Sequence, residues 1–447
     1  MNREFGNLFF IGFQKEFNKQ IVEKINPAGV ILYPKNMEDI YKMQVNMERI
    51  YSLHDKGYRL FITSDHEGGQ LETVPNIFPS PGNLALGKTG NVRSFGEYLG
   101  YMFKAHGFNM VFAPVVDVAY TYSSHVTGYR AFSFNYKVVE KQAKEFLLGL
   151  SKNKIAATLK HFPGHGKAKE DSHFTLPVVN DFEENDDDIE IFKSLAEDVD
   201  FIMTAHVLYP KVDDVIATLS KKFLTDILRK KFNYKGLVIS DAFEMKALYK
   251  SYSEKEVIKK FFEAGGDIVL IGDIENHYHF FETFKTMVEN GELDVELLKE
   301  KVKKVEKIKE KYVTKDYPTR FLSFAARDAI EHNLSAPVET PAFLIPQPKN
   351  LSLADTSEKD LKHLENIIRE EFPESKVYRE KEMEKMNFQD TVVYFVVDQI
   401  KKVKAKRVIY IFLRKFFDVE NEYIIPYSSK LISIYHVLQL LKGEGSL

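Results

Sequence analysis

Short apolar runs alternate with longer amphipathic stretches through the first two-thirds of the chain. Eight of the runs are near-continuous in Val, Ile, Leu and Phe: Leu8–Phe13, Gly29–Pro34, Arg59–Asp65, Met110–Asp117, Ala156–Phe162, Phe201–Leu208, Gly236–Asp241 and Asp267–Ile271. Uniformly apolar runs of this length are the mark of parallel strands buried on both faces. The stretches between them, among them Met37–Leu53, Phe95–Ala105, Lys137–Leu150, Ser220–Lys231 and Glu254–Ala264, carry a helical period. Eight strands with intervening helices predict a (β/α)8 barrel rather than an open doubly wound sheet.

A helix over Asp294–Lys311 follows, with Asp294 placed to cap it. After a Pro-containing joint and another short helix the alternation restarts. Its pieces are Ala342–Ile345, Glu358–Glu371, Thr391–Val397, Arg407–Leu413, Tyr423–Pro426 and Leu431–Leu441, which predict a small α/β sandwich. The expected division is a barrel over residues 1–314, a helical joint and linker over 315–341, and the second domain over 342–447. No polar cluster in the second domain demands chemistry.

The polar residues sharpen the barrel reading. Asp65, Asp117, His161, His206 and Asp241 each stand at or near the C-terminal end of a predicted strand, and in a barrel those ends converge on the face that carries the catalytic loops. The densest constellation is Lys160-His161-Phe162-Pro163-Gly164-His165-Gly166, with Asp171-Ser172-His173 just beyond. Asp171 is close enough to orient the His173 imidazole and raise its basicity, which suits that ring to proton donation and acceptance. Asp241 ends an apolar strand, where a carboxylate needs partners or a task; capping the next helix is the plainer alternative. Glu244 is a rival carboxylate, expected to point elsewhere on the turn. Ser64-Asp65-His66-Glu67-Gly68-Gly69 supplies an Asp able to accept sugar hydroxyls, or simply to form a turn. Arg130 adds a cationic donor unless it is only a surface ion pair.

Composition narrows the classes. The 447 residues are 44% apolar and 28% charged, with a net charge of −3, so no basic surface invites nucleic acid or an acidic membrane. The lysine-rich turn Lys401–Arg407 reads as a solvated face. There is no cysteine, which rules out disulfides and thiolate metal sites. The apolar run Asn7–Phe13 is cut short by Gln14-Lys15-Glu16, too early for a signal sequence, and no stretch is long enough to span a membrane. The expectation is a cytoplasmic protein; oligomeric state stays open.

Together these motifs resemble glycoside hydrolase family 3, in its β-N-acetylglucosaminidase branch. The resemblance is carried by Asp65-His66-Glu67-Gly68-Gly69, Arg130-Ala131-Phe132, Lys160 through Gly166, Asp171-Ser172-His173, Thr204-Ala205-His206 and Ser240-Asp241. It implies a retaining exo-glycosidase acting on a small carbohydrate, with no metal or organic cofactor. It also implies a catalytic nucleophile at Asp241, an acid/base His173 paired with Asp171, and sugar contacts at Asp65, Arg130, Lys160 and His161. His206 matches a pocket histidine. The family usually has Arg after the Gly-Gly pair and again three residues on, whereas this chain has Gln70 and Thr73. Phosphorolysis, a β-glucosidase or β-xylosidase, a metal-dependent barrel hydrolase, or a non-catalytic sugar-binding barrel are the competing readings. Phosphate dependence, an aryl glycoside panel, a chelator and a test for turnover separate them.

Overall fold

The computed structural model describes residues 3–14, 16–120, 127–168, 175–346, 363–386, 388–397, 400–413, 419–426, 428 and 430–444. Two compact units result, Met1–Glu38 with Ile50–Pro318, and Asp39–Arg49 with Thr319–Leu447. Each contains its own main sheet.

In the first unit all eight expected runs form strands. They are β1 (Phe9–Gly12), β2 (Gly29–Ile31) and β3 (Phe61–Thr63), then, after a hairpin of β4 (His66–Gly68) and β5 (Leu71–Glu72), β6 (Met110–Val111), β7 (Ala156–Phe162), β8 (Phe201–Thr204), β9 (Leu237–Ala242) and β10 (Ile268–Ile271). The eight barrel strands are parallel, in the order β3-β2-β1-β10-β9-β8-β7-β6. The seam between β3 and β6 is closed by Asn109. Its side chain accepts from the Ile62 amide at 2.8 Å and donates to the Leu60 carbonyl at 3.1 Å. Backbone bonds from Asn109 to Ile62 and from Phe112 to Ser64, both 3.2 Å, complete the junction.

Strand β6 is much shorter than the expected Met110–Asp117. Pro114, which has no N–H to give a ladder, interrupts it, although the Ala113 and Pro114 carbonyls still accept from Thr158 and Lys160 on β7. The barrel interior is filled by Phe10, Ile31, Phe61, Phe112, Met203, Ile239 and Leu270, all buried. Alternate residues face outward, as Phe9 does against Phe281 and Phe284 of the helix His279–Glu289. A barrel packed in this way leaves only its C-terminal rim for chemistry. The helix Val295–Tyr312 is capped as expected, with Asp294 accepting from the Glu296 and Leu297 amides.

The second unit is a mixed sheet: β11 (Glu331–His332), β12 (Ala342–Ile345), β13 (Val377–Arg379), β14 (Thr391–Val396), β15 (Arg407–Phe412) and β16 (Glu422–Ile425), in the order β11-β16-β15-β14-β12-β13. Only β11 runs antiparallel. Alternation along the strands sends Phe343, Val393, Phe395, Ile409 and Ile411 to a face packed on the helices Leu364–Glu371 and Leu431–Lys442. Leu344, Val392, Tyr394, Tyr410 and Phe412 line the other face. Within this unit Arg49 is buried against Glu370 and Glu371. Part of the expected helix Glu358–Glu371 lies outside the described residues.

Candidate active site

The rim divides into two arcs. The first is built on β3, its hairpin, β6 and β7. Glu67, fully buried in the hairpin, receives a side-on pair of bonds from Arg130, Nε to Oε2 and Nη2 to Oε1, both 2.8 Å. Lys160 Nζ, near the end of β7, reaches Glu67 at 2.6 Å and Asp65 Oδ1 at 2.7 Å. Burial opposes ionisation of Glu67, but Arg130 and Lys160 overcome it and hold its carboxyl far below the usual range. Burial likewise opposes the Lys160 charge, yet Asp65 and Glu67 raise its pKa above the ordinary value. Asp65, Arg130 and Lys160 are thus brought together, with the Asp65 side chain 31% exposed toward the rim. Arg130 is no mere surface ion pair.

Next to this network, Asp117 is buried after β6 and holds the start of the loop that follows β7. Its Oδ2 lies 2.7 Å from His161 Nδ1, and its Oδ1 accepts from the His161 and His165 amides at 3.2 and 2.7 Å. Burial raises the Asp117 pKa, but His161 more than reverses the effect. The loop fits because Gly164 and Gly166 lack side chains. A Cβ on Gly166 would sit 1.9 Å from the Val118 carbonyl oxygen, and one on Gly164 2.3 Å from Asp188 Cβ. His161 is therefore seated beside Lys160. Asp171 and His173, further along the chain, lie outside the described residues.

The second arc is built on β8, β9, β10 and the segment after β2. Asp241 is half-buried near the end of β9, with Oδ1 accepting from the Ala242 amide at 2.8 Å. Ser240 Oγ accepts from the Leu270 amide at 2.9 Å, tying β9 to β10 where the ladder register shifts. His206 is fully buried; its Nδ1 meets Thr218 Oγ1 at 2.8 Å and its Nε2 meets the Ala242 carbonyl at 3.1 Å. The ring thus bridges Thr218, in the segment after β8, to the end of β9 beside Asp241.

The Glu244 carboxyl sits just past β10: a Cβ on Gly272 would lie 2.7 Å from its Oε1 and 2.6 Å from the Tyr33 hydroxyl. The chain after β9 makes a tight turn instead of continuing into a helix, with a short 3₁₀ segment only from Lys246 to Lys250. Burial pushes the Glu244 carboxyl up to about 7, with the Asp241 charge adding to the rise, while the amides of Glu244, Gly272 and Asp273 oppose it. Burial, followed by the charges of Asp65, Glu244, Asp241 and Asp273, pushes the Tyr33 phenol well above its usual value.

Thr73, where the family usually carries Arg, is part of the first arc's scaffold. Its hydroxyl donates to the Asp65 carbonyl at 2.9 Å and lies 2.6 Å from Ser64 Oγ. Sequence reasoning placed Asp117 on the rim without assigning it a task, and passed over Glu67 and Tyr33. Glu67 stood inside a quoted motif, but the cations that give it meaning come from distant segments. Among the described residues no three His, Asp or Glu side chains gather as a metal-binding set, and no helix is long and apolar enough to cross a membrane.

Comparison with known proteins agrees with this geometry. The model of the glycosyl hydrolase family 3 N-terminal domain matches residues 2–308, and that of the β-N-acetylglucosaminidase C-terminal domain matches residues 339–441. The chain belongs to glycoside hydrolase family 3 and is a glycoside hydrolase. A β-hexosaminidase of Hydrogenovibrio crunogenus is 35% identical over 257 residues, covering 55% of this chain and 71% of that protein. Among solved structures, the β-N-acetylglucosaminidase from Thermotoga maritima is 33% identical with a TM-score of 0.83, over 97% of this chain and 99% of that one. Zinc-bound CbsA from Thermotoga neapolitana is 32% identical with a TM-score of 0.85, over 100% of both chains.

Proposed function

We propose that this enzyme is a retaining exo-glycosidase that releases terminal β-linked N-acetylglucosamine, in cell-wall or amino-sugar recycling. The printed names of its relatives point to that sugar. The observation that carries the reading is Asp241, half-buried at the end of β9 on the rim that also holds the Asp65–Lys160–Glu67–Arg130 network.

Asp241 attacks the anomeric carbon while His173, oriented by Asp171, protonates the leaving oxygen. Water then opens the glycosyl ester, with His173 acting as base; this is two-step retaining chemistry with an imidazole in the acid/base role. Asp65, Arg130, Lys160 and His161 hold the sugar hydroxyls. The pair formed by Lys160 and Arg130 around Glu67 keeps these donors fixed before substrate arrives, which lowers the cost of ordering them.

Aryl glycosides test the assignment. N-acetylglucosaminide should be cleaved in preference to glucoside and xyloside, with retained anomeric configuration in the first product. His173→Ala should slow turnover of poor leaving groups by about 10² to 10⁴ and spare activated aryl groups. Equal loss on both kinds of substrate, or inverted product, would overturn the mechanism.

A further inference from the structure

The end of the barrel opposite the rim carries a charged cluster that the mechanism does not use. Asp267 stands immediately before β10, and its buried carboxyl is met by three cations. Arg229, near the end of the helical segment Lys222–Lys231, donates to Oδ2 and also to the carbonyls of Tyr234 at 3.2 Å, Gly236 at 2.5 Å and Gly265 at 3.3 Å. Lys301 and Lys304, one turn apart on the helix Val295–Tyr312, bring their Nζ atoms to 3.5 Å from Oδ1 and 3.0 Å from Oδ2. The Val238 amide donates to Oδ2 as well, at 2.8 Å.

Three cations on one carboxylate leave an excess of two positive charges. The next carboxylate, Asp200 before β8, does not remove it, being taken by Lys311 at 2.6 Å and by the Tyr312 hydroxyl. Lys301 is the member most in need of an acceptor. Its side chain is 7% exposed, yet among the described residues its ammonium has one partner, the 3.5 Å contact with Asp267. That is longer than the roughly 2.7–3.2 Å of an ordinary N–H···O bond, and a buried ammonium short of acceptors is costly. Lys304, at 28% exposed, opens the cluster to solvent. Burial, ahead of the opposing pull of Asp267, lowers the pKa of both lysines, that of Lys304 to about 8.

We propose that Lys301 and Lys304, backed by Arg229, bind a phosphate-type oxyanion at the N-terminal end of the barrel. A doubly charged oxyanion matches the excess of two and offers several acceptors to the spare lysine donors. Chloride matches the sign but neither the charge nor the number of acceptors. Asp267, with its oxygens engaged by the cations and by the Val238 amide, holds the three heads in place. The site lies at the foot of β9 and β10, whereas Asp241 stands at the far end of β9, so binding steadies the barrel without entering the reaction.

Thermal melting of the full-length enzyme at pH 8 tests this, in chloride and in inorganic phosphate at matched ionic strength. Phosphate at about ten times its Kd should raise the melting temperature by about 2–4 °C. Calorimetry in two buffers of different ionisation enthalpy should show about half a proton taken up per site, as Lys304 becomes fully charged. Lys304→Gln should still cleave an aryl N-acetylglucosaminide and should lose both responses. Lys304→Arg, which keeps the charge, should keep the melting shift and take up fewer protons; it serves as the test if the Gln variant does not fold. Glycerol phosphate in place of the free ion separates the two sources: a matching rise assigns the site to any terminal phosphate, and no rise assigns it to inorganic phosphate. An equal rise in chloride, or a phosphate response unchanged in Lys304→Gln or a proton uptake unchanged in Lys304→Arg, would overturn the site.

Discussion

On the rim from β3 through β6 to β7, Asp65 and Glu67 meet Lys160, Glu67 also meets Arg130, and Asp117 lies against His161, while burial and the Asp186 and Asp117 charges push the neighbouring Asp188 carboxyl up. From β9 through β10 to β2, burial and then the Asp241 charge push the Glu244 carboxyl up, and burial with the Asp65, Glu244, Asp241 and Asp273 charges pushes the Tyr33 phenol up, while Asp241 favours the charged form of His165. On the proposed mechanism the first arc would present fixed donors and acceptors to neutral hydroxyls, and Asp241 would supply negative charge where positive charge develops, at the anomeric carbon of an oxocarbenium-like transition state.

Substitutions can break that contrast. Asp241→Ala should cost a factor on the order of 10⁴ or more in kcat on an aryl glycoside, with a far smaller effect on the melting temperature. Glu67→Ala should act on stability instead: it strands two buried cations, and breaking a buried pair costs about 3–5 kcal/mol, readable by denaturant unfolding. A large stability loss in the first variant and none in the second would reverse the assignment of the arcs.

Acidity sharpens the contrast. His66 and His165 are buried and held neutral, each pushed down to about 4 by burial. A lowered histidine contributes stability above its unfolded value near 6.5 and loses it as pH falls toward 4, at up to about 1.4 kcal/mol per unit for each ring. Glu244, raised to about 7, works in the opposite sense over nearly the same range. Its penalty is absent below about pH 4.5 and grows until pH passes 7, reaching up to about 3 kcal/mol. Between about pH 4.5 and 6.5 the two histidines outweigh it, and Glu244→Gln should steepen the rise of unfolding free energy with pH over that range. Smallest of all, Thr73→Val keeps the shape and removes the hydroxyl that fastens Asp65, at a cost of about 1–2 kcal/mol, with a rise in KM as Asp65 loosens.

Much of this was legible before any coordinates. Each barrel strand is an uninterrupted apolar run, so strand count and strand-end chemistry followed from the pattern. The hairpin His66–Glu72 was not, because its strands are too short to show a period and its turn rests on the positive φ of Gly68 and Gly69. Asp65, Lys160, His161 and Asp241 were found because they stand where apolar runs stop. Glu67 was not recognised as an anchor, since Arg130 is 63 residues away along the chain. The surroundings of Glu244 were not legible, because Tyr33 and Gly272 that flank it come from other strand ends.

The Asn109 amide at the β3–β6 junction has one more implication. A peptide group and a carboxamide offer the same donor and acceptor, so this side chain stands in for a missing rung between two strands joined through a long excursion. Asp65 rides on one lip of that join and Asp117 on the other. Loss of the amide would let the lips slide past each other, separating the lysine's partner from the histidine's and detuning sugar recognition from beneath, with every residue that touches the substrate still in place.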